Sequence, residues 1–555
     1  MLLKKFVATG ILLLAGYLQA ASLAWPFHFD VAALGIVQGQ AVWWLQIFTL
    51  ALLAWTLLRA ASIQQAAWRA WLFSTAWMVG SVWWLYISMH TYGGLPAWLA
   101  AFAVLLLAGC LALFYTLLSM LFRHLAGINT AYTAIIFAAC WLFAELARGT
   151  WLTGLPWGAV GYAHVDGPLA GLASTIGVYG LCFVAAYTAM LAVQMIGAWH
   201  QQTAITAPNF AVRMQGLAMA VMFLVLALYG GVDMDADGQP ISTKDLNPPL
   251  TVALLQGNIP QNEKFIPGSG MATALAWYQE QLLNASSSLV VAPETAIPLR
   301  IAQLEPSYWK SITERYLQNA PNHQPEQLSQ PKQQAALIGL VGSRSDGYTN
   351  AVVGLKPNPQ ANQSLLQSKP YQYDKVHLVP FGEFFPPFAQ WFINLMNIPL
   401  GSFQRGNAMQ APFDWQGERL ALNICYEDLF GEELAQRFAN PAQAPTILVN
   451  VSNIAWFGNS IAIDQHLNIA RMRSMELAKP SIRATNTGAT VIIDDHGKVT
   501  QSLARHTRGV LMGQVQGNNR VTPYVWVVSR FWLWPWYGLS VLVLGLAWLR
   551  ASRRD

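Results

Sequence analysis

Long apolar segments separated by short polar connections fill the first 231 residues of the chain. A helix needs about twenty consecutive apolar residues to cross the hydrocarbon core of a bilayer. Segments of that length lie near residues 6–23, 35–58, 70–89, 96–122, 131–147, 169–199, 212–231 and 531–549. The pattern therefore predicts a polytopic α-helical membrane domain of about eight transmembrane helices.

The region between residues 232 and 528 has a different pattern, in which short apolar runs alternate with amphipathic stretches. Continuous apolar runs of this length are typical of strands that are buried on both faces. Predicted strands cover residues 251–256, 288–294, 335–341, 350–355, 420–427, 445–453, 489–494 and 509–515. Predicted helices cover residues 271–284, 306–319, 431–438 and 463–478. This alternation predicts a layered α/β sandwich domain.

The distribution of basic residues predicts how the chain is oriented. Lysine and arginine fall at alternate ends of the apolar segments, at Lys4, Lys5, Arg59, Arg69, Arg123, Arg213, Arg550, Arg553 and Arg554. The opposite short connections carry essentially only Arg148. By the positive-inside rule, both termini face the cytoplasm. We therefore expect seven helices in 1–231, an outer-face domain in 232–528, and an eighth helix with a basic cytoplasmic tail in 529–555.

Composition supports a membrane protein and excludes other classes. The chain is 54% hydrophobic and 11% charged, whereas soluble domains carry roughly a quarter charged residues. The net charge of +5 is too small and too scattered to predict binding of nucleic acid. Three of the four cysteines lie in apolar segments, so no disulfide framework is expected. We find no metal-ligand spacing and no nucleotide-binding motif, and predict neither a metal nor a cofactor.

Three reactive side chains of the polar region are expected at strand ends, and the runs before Glu294 and Cys425 are apolar. Glu294 follows SLVVAP and suits a general base, because burial would raise its pKa. Lys375 would place a positive charge beside a developing oxyanion, and Glu383 would hold that ammonium. Cys425 is the only cysteine of the polar region and suits a nucleophile. Each signal is weak alone, and His377, two residues after Lys375, is read as structural.

Together, these residues and the motifs around them resemble the catalytic triad of the nitrilase superfamily. The motifs are PET at Glu294, YDKVHLVPFGE at Lys375, NICYED at Cys425, then VSNIAWFG (451–458) and RATNTG (483–488). The resemblance implies an α-β-β-α sandwich with Glu294 as base, Lys375 as oxyanion stabiliser and Cys425 as nucleophile. It also implies Glu383, Tyr426 and Glu427 as supporting residues.

With the apolar segments added, the whole chain resembles the apolipoprotein N-acyltransferase family, a membrane-embedded branch of that superfamily. The resemblance includes RGTWLTGLPWGAVGY (148–162) and QGNIPQNEKF (256–265). It implies an enzyme of the bacterial inner membrane with a periplasmic catalytic domain. Such an enzyme moves an acyl chain from a phospholipid, expected to be phosphatidylethanolamine, through a thioester on Cys425. The acceptor is the amino group of the diacylglyceryl-cysteine of an apolipoprotein.

Substrate contacts are predicted at three aromatic residues. Phe265 stands where the family commonly has tryptophan, so an aromatic lid is expected without an indole N–H. Trp157 and Trp456 belong to segments expected to lie near the membrane edge. The Pro- and Gly-rich stretches 259–270 and 384–406 are predicted to be flexible lids.

Two other functions remain open from the sequence. A membrane-tethered amidase or nitrilase would pass the acyl group to water rather than to an amine. A transporter or scaffold would only bind lipoproteins, but it would have no reason to keep Glu294, Lys375 and Cys425 together. Basic residues within the helices, which would mark a transport path, are almost absent.

Overall fold

The computed structural model describes residues 2–126, 132–200, 207–229, 247–317, 333–357, 370–384 and 402–553. The residues up to 229 fold mainly as α-helices. These helices are Leu2–Ala21, Trp43–Leu58, Ile63–Val82, Ala97–Leu125, Thr133–Thr150, Ala173–His200 and Ala207–Tyr229. Two more helices, Pro523–Phe531 and Trp534–Ala551, follow the polar domain.

Within the described residues, three helical segments are long and apolar enough to cross a membrane. They are Ala97–Leu125, Thr133–Thr153 and Ala170–Gly197. The pair Pro523–Phe531 and Trp534–Ala551 passes the same test together but is bent by 86°, which gives a fourth span if the pair counts as one. Other apolar helices are shorter: Phe6–Ala21, Trp43–Leu58 and Phe210–Val221. The predicted helical region is therefore present, whereas the predicted number of eight spans is not confirmed.

A buried arginine organises the irregular chain that follows helix Thr133–Thr150. The Arg148 guanidinium donates to Glu145 Oε2 at 2.7 Å, to the Tyr115 hydroxyl at 2.7 Å and to the carbonyl of Trp157 at 2.8 Å. Both charges are fully buried, so the pair and the carbonyl acceptors are needed to offset their desolvation. The loop after the helix is thereby held in place, although Leu152 has a positive φ of 54°.

Gly177 allows a break within helix Ala173–His200. Its φ is +64°, and a Cβ atom there would lie 2.2 Å from the Tyr524 ring. We expect Gly177→Ala to lower the free energy of unfolding by about 2–4 kcal/mol, from backbone strain and overpacking together. Thermal unfolding in detergent measures this loss of stability. The matched control is Gly197→Ala in the same helix, where a Cβ meets nothing within 4 Å; equal losses in both variants would contradict the prediction.

The polar domain contains twelve strands among its described residues. They are β1 Leu250–Gln256, β2 Leu289–Val291, β3 Ala335–Arg344, β4 Gly347–Leu355, β5 Tyr371–Asp374, β6 Phe413–Trp415, β7 Glu418–Ile424, β8 Ile447–Ser452, β9 Ser481–Thr485, β10 Val491–Ile493, β11 Val499–Ser502 and β12 Gly509–Val515. The eight predicted strands are confirmed. The sequence missed β5, β6, β9 and β11, which are short or carry polar residues.

The strands form two six-stranded sheets of similar topology. The first has the order β12-β1-β2-β3-β4-β5 and the second the order β11-β10-β9-β8-β7-β6. The three central strands of each sheet, β1-β2-β3 and β7-β8-β9, are parallel, and the outer pairs are antiparallel. Parallel neighbours bring the carboxyl ends of their strands to the same edge, where reactive side chains can meet.

Apolar side chains of the two sheets face each other and form one core. Leu254 and Leu337 of the first sheet pack in it with Leu422 and Val449 of the second. Helices Gly270–Asn284 and Pro306–Leu317 cover the outer face of the first sheet. Helices Gly431–Gln436 and Ala462–Leu477 cover the second sheet. Their core is continuous with that of the apolar helices up to Tyr229 and of the two helices from Pro523 onward, which we call the membrane-type helices. The predicted α-β-β-α sandwich is confirmed, and its second helical layer packs on the membrane-type helices.

Candidate active site

Glu294 lies in the turn that follows β2, between the two sheets. Its Oε1 accepts from Asn350 Nδ2 at 2.6 Å and lies 3.4 Å from Lys375 Nζ, and its Oε2 accepts from the backbone N–H of Asn453 at 2.8 Å. Burial raises the pKa of Glu294, but Lys375, Asn350, Lys264 and the Asn453 N–H together hold it below its ordinary value. The expected net rise of this pKa is therefore wrong: burial acts in the expected direction, but its effect is outweighed and the side chain is a carboxylate.

Lys375 follows β5 and lies almost completely buried between two carboxylates. Its Nζ is 2.9 Å from Glu383 Oε1 and 3.4 Å from Glu294 Oε1. Burial lowers the pKa of Lys375, but the charges of Glu383 and Glu294 more than offset this and raise it above its ordinary value. Glu383 is fixed in turn by Asn350 Nδ2 at 2.7 Å and by the N–H of Val379 at 2.8 Å. The ammonium therefore has a fixed position.

Cys425 follows β7 and begins the short 3₁₀ helix Cys425–Leu429. Its φ is +53°, a backbone conformation that is uncommon for a residue with a side chain and is typical of functional turns. The side chain is half-buried. Burial and the negative charge of Glu294 raise the pKa of the thiol to about 12, although Lys375 opposes them. At rest the site therefore holds a neutral thiol, a carboxylate and an ammonium.

The two residues after the cysteine connect its turn to the rest of the site. Glu427 accepts from the N–H of Ile424 at 2.6 Å, the N–H of Val376 at 2.7 Å and the Tyr373 hydroxyl at 3.0 Å. It thus ties the Cys425 turn to the segment that carries Lys375. Tyr426 points the other way, and its hydroxyl donates to the carbonyl of Gly154 at 3.2 Å. Cys425 therefore adjoins the membrane-type region.

The three predicted aromatic residues lie in different environments. Phe265 is partly buried and follows Lys264, whose side chain reaches the site. Trp456 is partly buried and packs edge-to-face on Tyr92 at 5.8 Å between ring centroids. Trp157 is only 3% exposed and lies inside the contact between the catalytic domain and the membrane-type helices. This position favours a structural role for Trp157, whereas substrate contact by all three residues stays a prediction.

The predicted lid 259–270 begins with an anchored part. Asn486 donates to the carbonyl of Ile259 at 2.8 Å and accepts from its N–H at 2.9 Å. Lys264 is buried, and its Nζ donates to the carbonyl of Glu294 at 3.1 Å. Ile266, in contrast, is 50% exposed. A continuous run of solvent-exposed residues, as a lid must have, begins only after Lys264. For the other predicted lid, 384–406, residues 385–401 lie outside the described residues.

Several residues of the site were not assigned a role from the sequence. Asn350 bridges Glu294 and Glu383, but it lies within β4 and looks like any strand residue. Asn453 and Lys264 lie within motifs that the sequence analysis singled out, and this was the only signal of their role. His377 stacks on Phe430 at 3.5 Å between ring centroids, which supports the prediction of a structural role.

A thiol beside a carboxylate and an ammonium is suited to acyl transfer. The carboxylate can take the thiol proton, and the ammonium can stabilise the oxyanion that forms when the thiolate attacks a carbonyl. Among the described residues, one group of three side chains could hold a metal ion, namely Asp494, Asp495 and His496. It lies in the turn between β10 and β11 and is not part of this site.

The chain matches two known families. Residues 251–524 match the carbon-nitrogen hydrolase family, and this range contains Glu294, Lys375 and Cys425. The fold and this match thus define a carbon-nitrogen hydrolase-type domain. Residues 20–191 match the apolipoprotein N-acyltransferase N-terminal domain. A solved CN-hydrolase superfamily protein of Xanthomonas campestris is 17% identical, with a TM-score of 0.34 over 48% of this chain and 91% of that chain.

Relatives of full length agree with both matches. The apolipoprotein N-acyltransferase of Verminephrobacter eiseniae is 51% identical over 534 residues, which cover 94% of this chain and 92% of the relative. That of Ralstonia nicotianae is 41% identical over 516 residues, which cover 92% and 90%. The chain therefore belongs to the apolipoprotein N-acyltransferase family and is an acyltransferase.

Proposed function

We propose that this protein transfers a fatty acyl chain from a phospholipid to the N-terminal amino group of the diacylglyceryl-cysteine of apolipoproteins. Phosphatidylethanolamine is the proposed donor. The observation that carries the proposal is the position of Cys425: it lies within reach of the charges of Glu294 and Lys375, and its neighbour Tyr426 contacts Gly154 of the membrane-type region. A thiol placed there can meet an ester whose acyl chain stays in lipid.

The first half-reaction acylates the cysteine. Glu294 takes the proton of the Cys425 thiol, and the sulfur attacks the carbonyl carbon of the phospholipid ester. The oxyanion that forms faces Lys375 Nζ and a backbone N–H. The bond from the carbonyl carbon to the glyceryl oxygen then breaks, and Glu294 returns its proton to that oxygen. The products are a thioester on Cys425 and a lysophospholipid.

The second half-reaction passes the acyl group to nitrogen. The neutral α-amino group of the acceptor attacks the thioester carbonyl, and Glu294 accepts a proton from the attacking nitrogen. The carbon–sulfur bond breaks, the thiolate recovers the proton, and an amide leaves. The scheme is ping-pong, and the buried position of the ammonium between Glu294 and Glu383 supports one fixed oxyanion site for both halves.

The proposed location follows the distribution of charge along the chain. We place the protein in the bacterial inner membrane, with about eight spans, both termini in the cytoplasm and residues 232–528 in the periplasm. The short apolar helices, such as Phe6–Ala21 and Trp43–Leu58, would cross the bilayer beside the longer helices next to them. Exposed apolar side chains on helix Ala97–Leu125, including Phe102 and Leu105 at 54% each, support contact with lipid.

Intact mass spectrometry of the purified protein with phosphatidylethanolamine and no acceptor tests the proposal. We expect a mass gain of one acyl chain, which hydroxylamine removes and which peptide mapping assigns to Cys425. Cys425→Ala is the control and should gain nothing. Lysophospholipid release without a protein adduct would instead show transfer of the acyl group to water. Acyl transfer by Cys425→Ala would show that Cys425 is not the nucleophile.

A further inference from the structure

His466 contacts the backbone of the proposed nucleophile. It lies on helix Ala462–Leu477 and is 3% exposed. Its Nε2 is 3.2 Å from the carbonyl oxygen of Cys425, which Asn450 Nδ2 also approaches at 3.4 Å. Two side-chain donors on one carbonyl are more than a turn of this kind requires. These two contacts therefore fix the orientation of the Cys425 carbonyl.

The neighbours of His466 settle its tautomer. Arg483 Nη2 lies 3.2 Å from His466 Nδ1, and because a guanidinium can only donate, Nδ1 must be the acceptor. The imidazole is then neutral and carries its hydrogen on Nε2, which donates to the Cys425 carbonyl. Arg483 is itself paired with the buried carboxylate of Asp428. Burial and the charge of Arg483 also hold the pKa of His466 well below its ordinary value.

The membrane-type region fixes the ring from the other side. The Trp157 indole stacks on the His466 imidazole, with ring centroids 5.6 Å apart and planes 28° apart. The neighbouring residue Gln465 accepts from the indole N–H groups of Trp157 at 2.9 Å and Trp84 at 3.1 Å. His466 thus stands between the nucleophile and the membrane-type helices.

A carbonyl and the N–H of the same peptide group are mechanically coupled. The peptide is planar, and the chain has no cis peptide among its described residues, so the Tyr426 N–H points opposite to the Cys425 carbonyl. Tyr426 is the second residue of the 3₁₀ helix, where an N–H has no partner within the helix. Donors on the carbonyl also polarise the peptide and strengthen its N–H as a donor.

We propose that His466 is a positioning residue that aims and polarises the Cys425–Tyr426 peptide, so that the Tyr426 N–H serves with Lys375 as an oxyanion donor. This inference rests on the proposed function, because it requires an oxyanion on a Cys425 adduct. It also assigns Trp157 a role: the indole holds the imidazole against the Cys425 carbonyl.

A matched pair of variants tests the proposal. A glutamine amide reaches the position of Nε2, whereas an asparagine amide reaches only the position of Nδ1. We expect His466→Gln to acylate within about threefold of the native rate with phosphatidylethanolamine. We expect His466→Asn to acylate about 10- to 100-fold more slowly, part of the 10²–10³ that loss of one oxyanion donor costs. Single-turnover mass spectrometry measures both rates.

Alkylation by iodoacetamide, followed by peptide mapping of Cys425, separates positioning from a general structural role. Alkylation forms no oxyanion, so it should proceed at the native rate in both variants. Equal acylation rates of the Gln and Asn variants, or parallel losses of acylation and alkylation, would overturn the inference. If His466→Asn does not fold, Asn450→Ser supplies the comparison: slower acylation with unchanged alkylation is expected, and unchanged acylation contradicts the inference. Absence of any adduct on the native protein would instead contradict the proposed function.

Discussion

Glu294→Gln is expected to slow formation of the acyl-enzyme by about 10³-fold, within the range for loss of a general base. Burial and the charge of Glu294 raise the pKa of the Cys425 thiol to about 12, so the thiol is protonated at neutral pH and a base must take its proton before it attacks. Glutamine still fills the volume and accepts from the Asn453 N–H, but it cannot take a proton. Single-turnover acylation with phosphatidylethanolamine measures the rate.

The pH profile distinguishes loss of the base from loss of structure. The pKa of Glu294 lies below its ordinary value, so the carboxylate is present throughout the neutral range and the native rate should not change between pH 6 and 8. The native rate should fall only as the pH drops through that lowered pKa. In Glu294→Gln the rate should instead rise about tenfold per pH unit, because it follows the thiolate fraction. Glu305→Gln, at an exposed site with the same change of charge, is the control; a flat profile for Glu294→Gln would contradict the role.

The sequence predicted the parts of the site that lie at strand ends. Apolar runs marked β2 and β7, and Glu294 and Cys425 follow them directly. The two strands belong to different sheets, so these residues meet only because the sheets pack face to face. The strand β9 was missed because Arg483 interrupts its apolar pattern. That arginine is nevertheless buried, since Asp428 offsets its charge. A polar residue that is buried through a tertiary partner cannot be recognised from periodicity alone.

The electrostatics of the site could not be predicted in the same way. Burial alone indicated a raised pKa for Glu294, but the sequence does not show that Asn350, Lys375 and the Asn453 N–H converge on that carboxylate. Trp157 was expected near substrate because of its place in an interfacial segment. It is buried instead, because helix Ala462–Leu477 packs over it. The lowered pKa of Glu294 and the burial of Trp157 both come from contacts between segments that are far apart in the chain.

The predicted number of about eight membrane spans is not confirmed by helix length and composition among the described residues. A hydropathy pattern reports the length of an apolar segment, not whether one helix carries it without interruption. The segment near 531–549 illustrates this, because its helix joins the preceding one at a bend of 86°. The segment 169–199 carries a break at Gly177, where the Tyr524 ring packs so closely that a Cβ atom would clash with it.

Lys375→Met is expected to cause the largest combined loss, of both acylation and stability. Removal of the ammonium takes away the proposed oxyanion stabiliser, which costs about 10³-fold in the rate of acylation. It also leaves Glu294 and Glu383 buried without a cation, and breaking a buried pair costs about 3–5 kcal/mol of unfolding free energy. Thermal unfolding and single-turnover acylation measure the two losses, and Lys310→Met, at a lysine that is 71% exposed, should show neither.

A second substitution separates the two effects of Lys375. The double variant Lys375→Met/Glu383→Gln has one buried negative charge fewer than Lys375→Met. Part of the lost stability should therefore return, while acylation stays low. The pH dependence has a definite sign: unpaired buried carboxylates bind protons in the folded state, because burial raises their pKa above the unfolded value. Lys375→Met should therefore regain stability relative to the native protein as the pH falls from 7 to 5. If the double variant recovered acylation together with stability, Lys375 would act only by neutralising Glu383, and the oxyanion would need another donor.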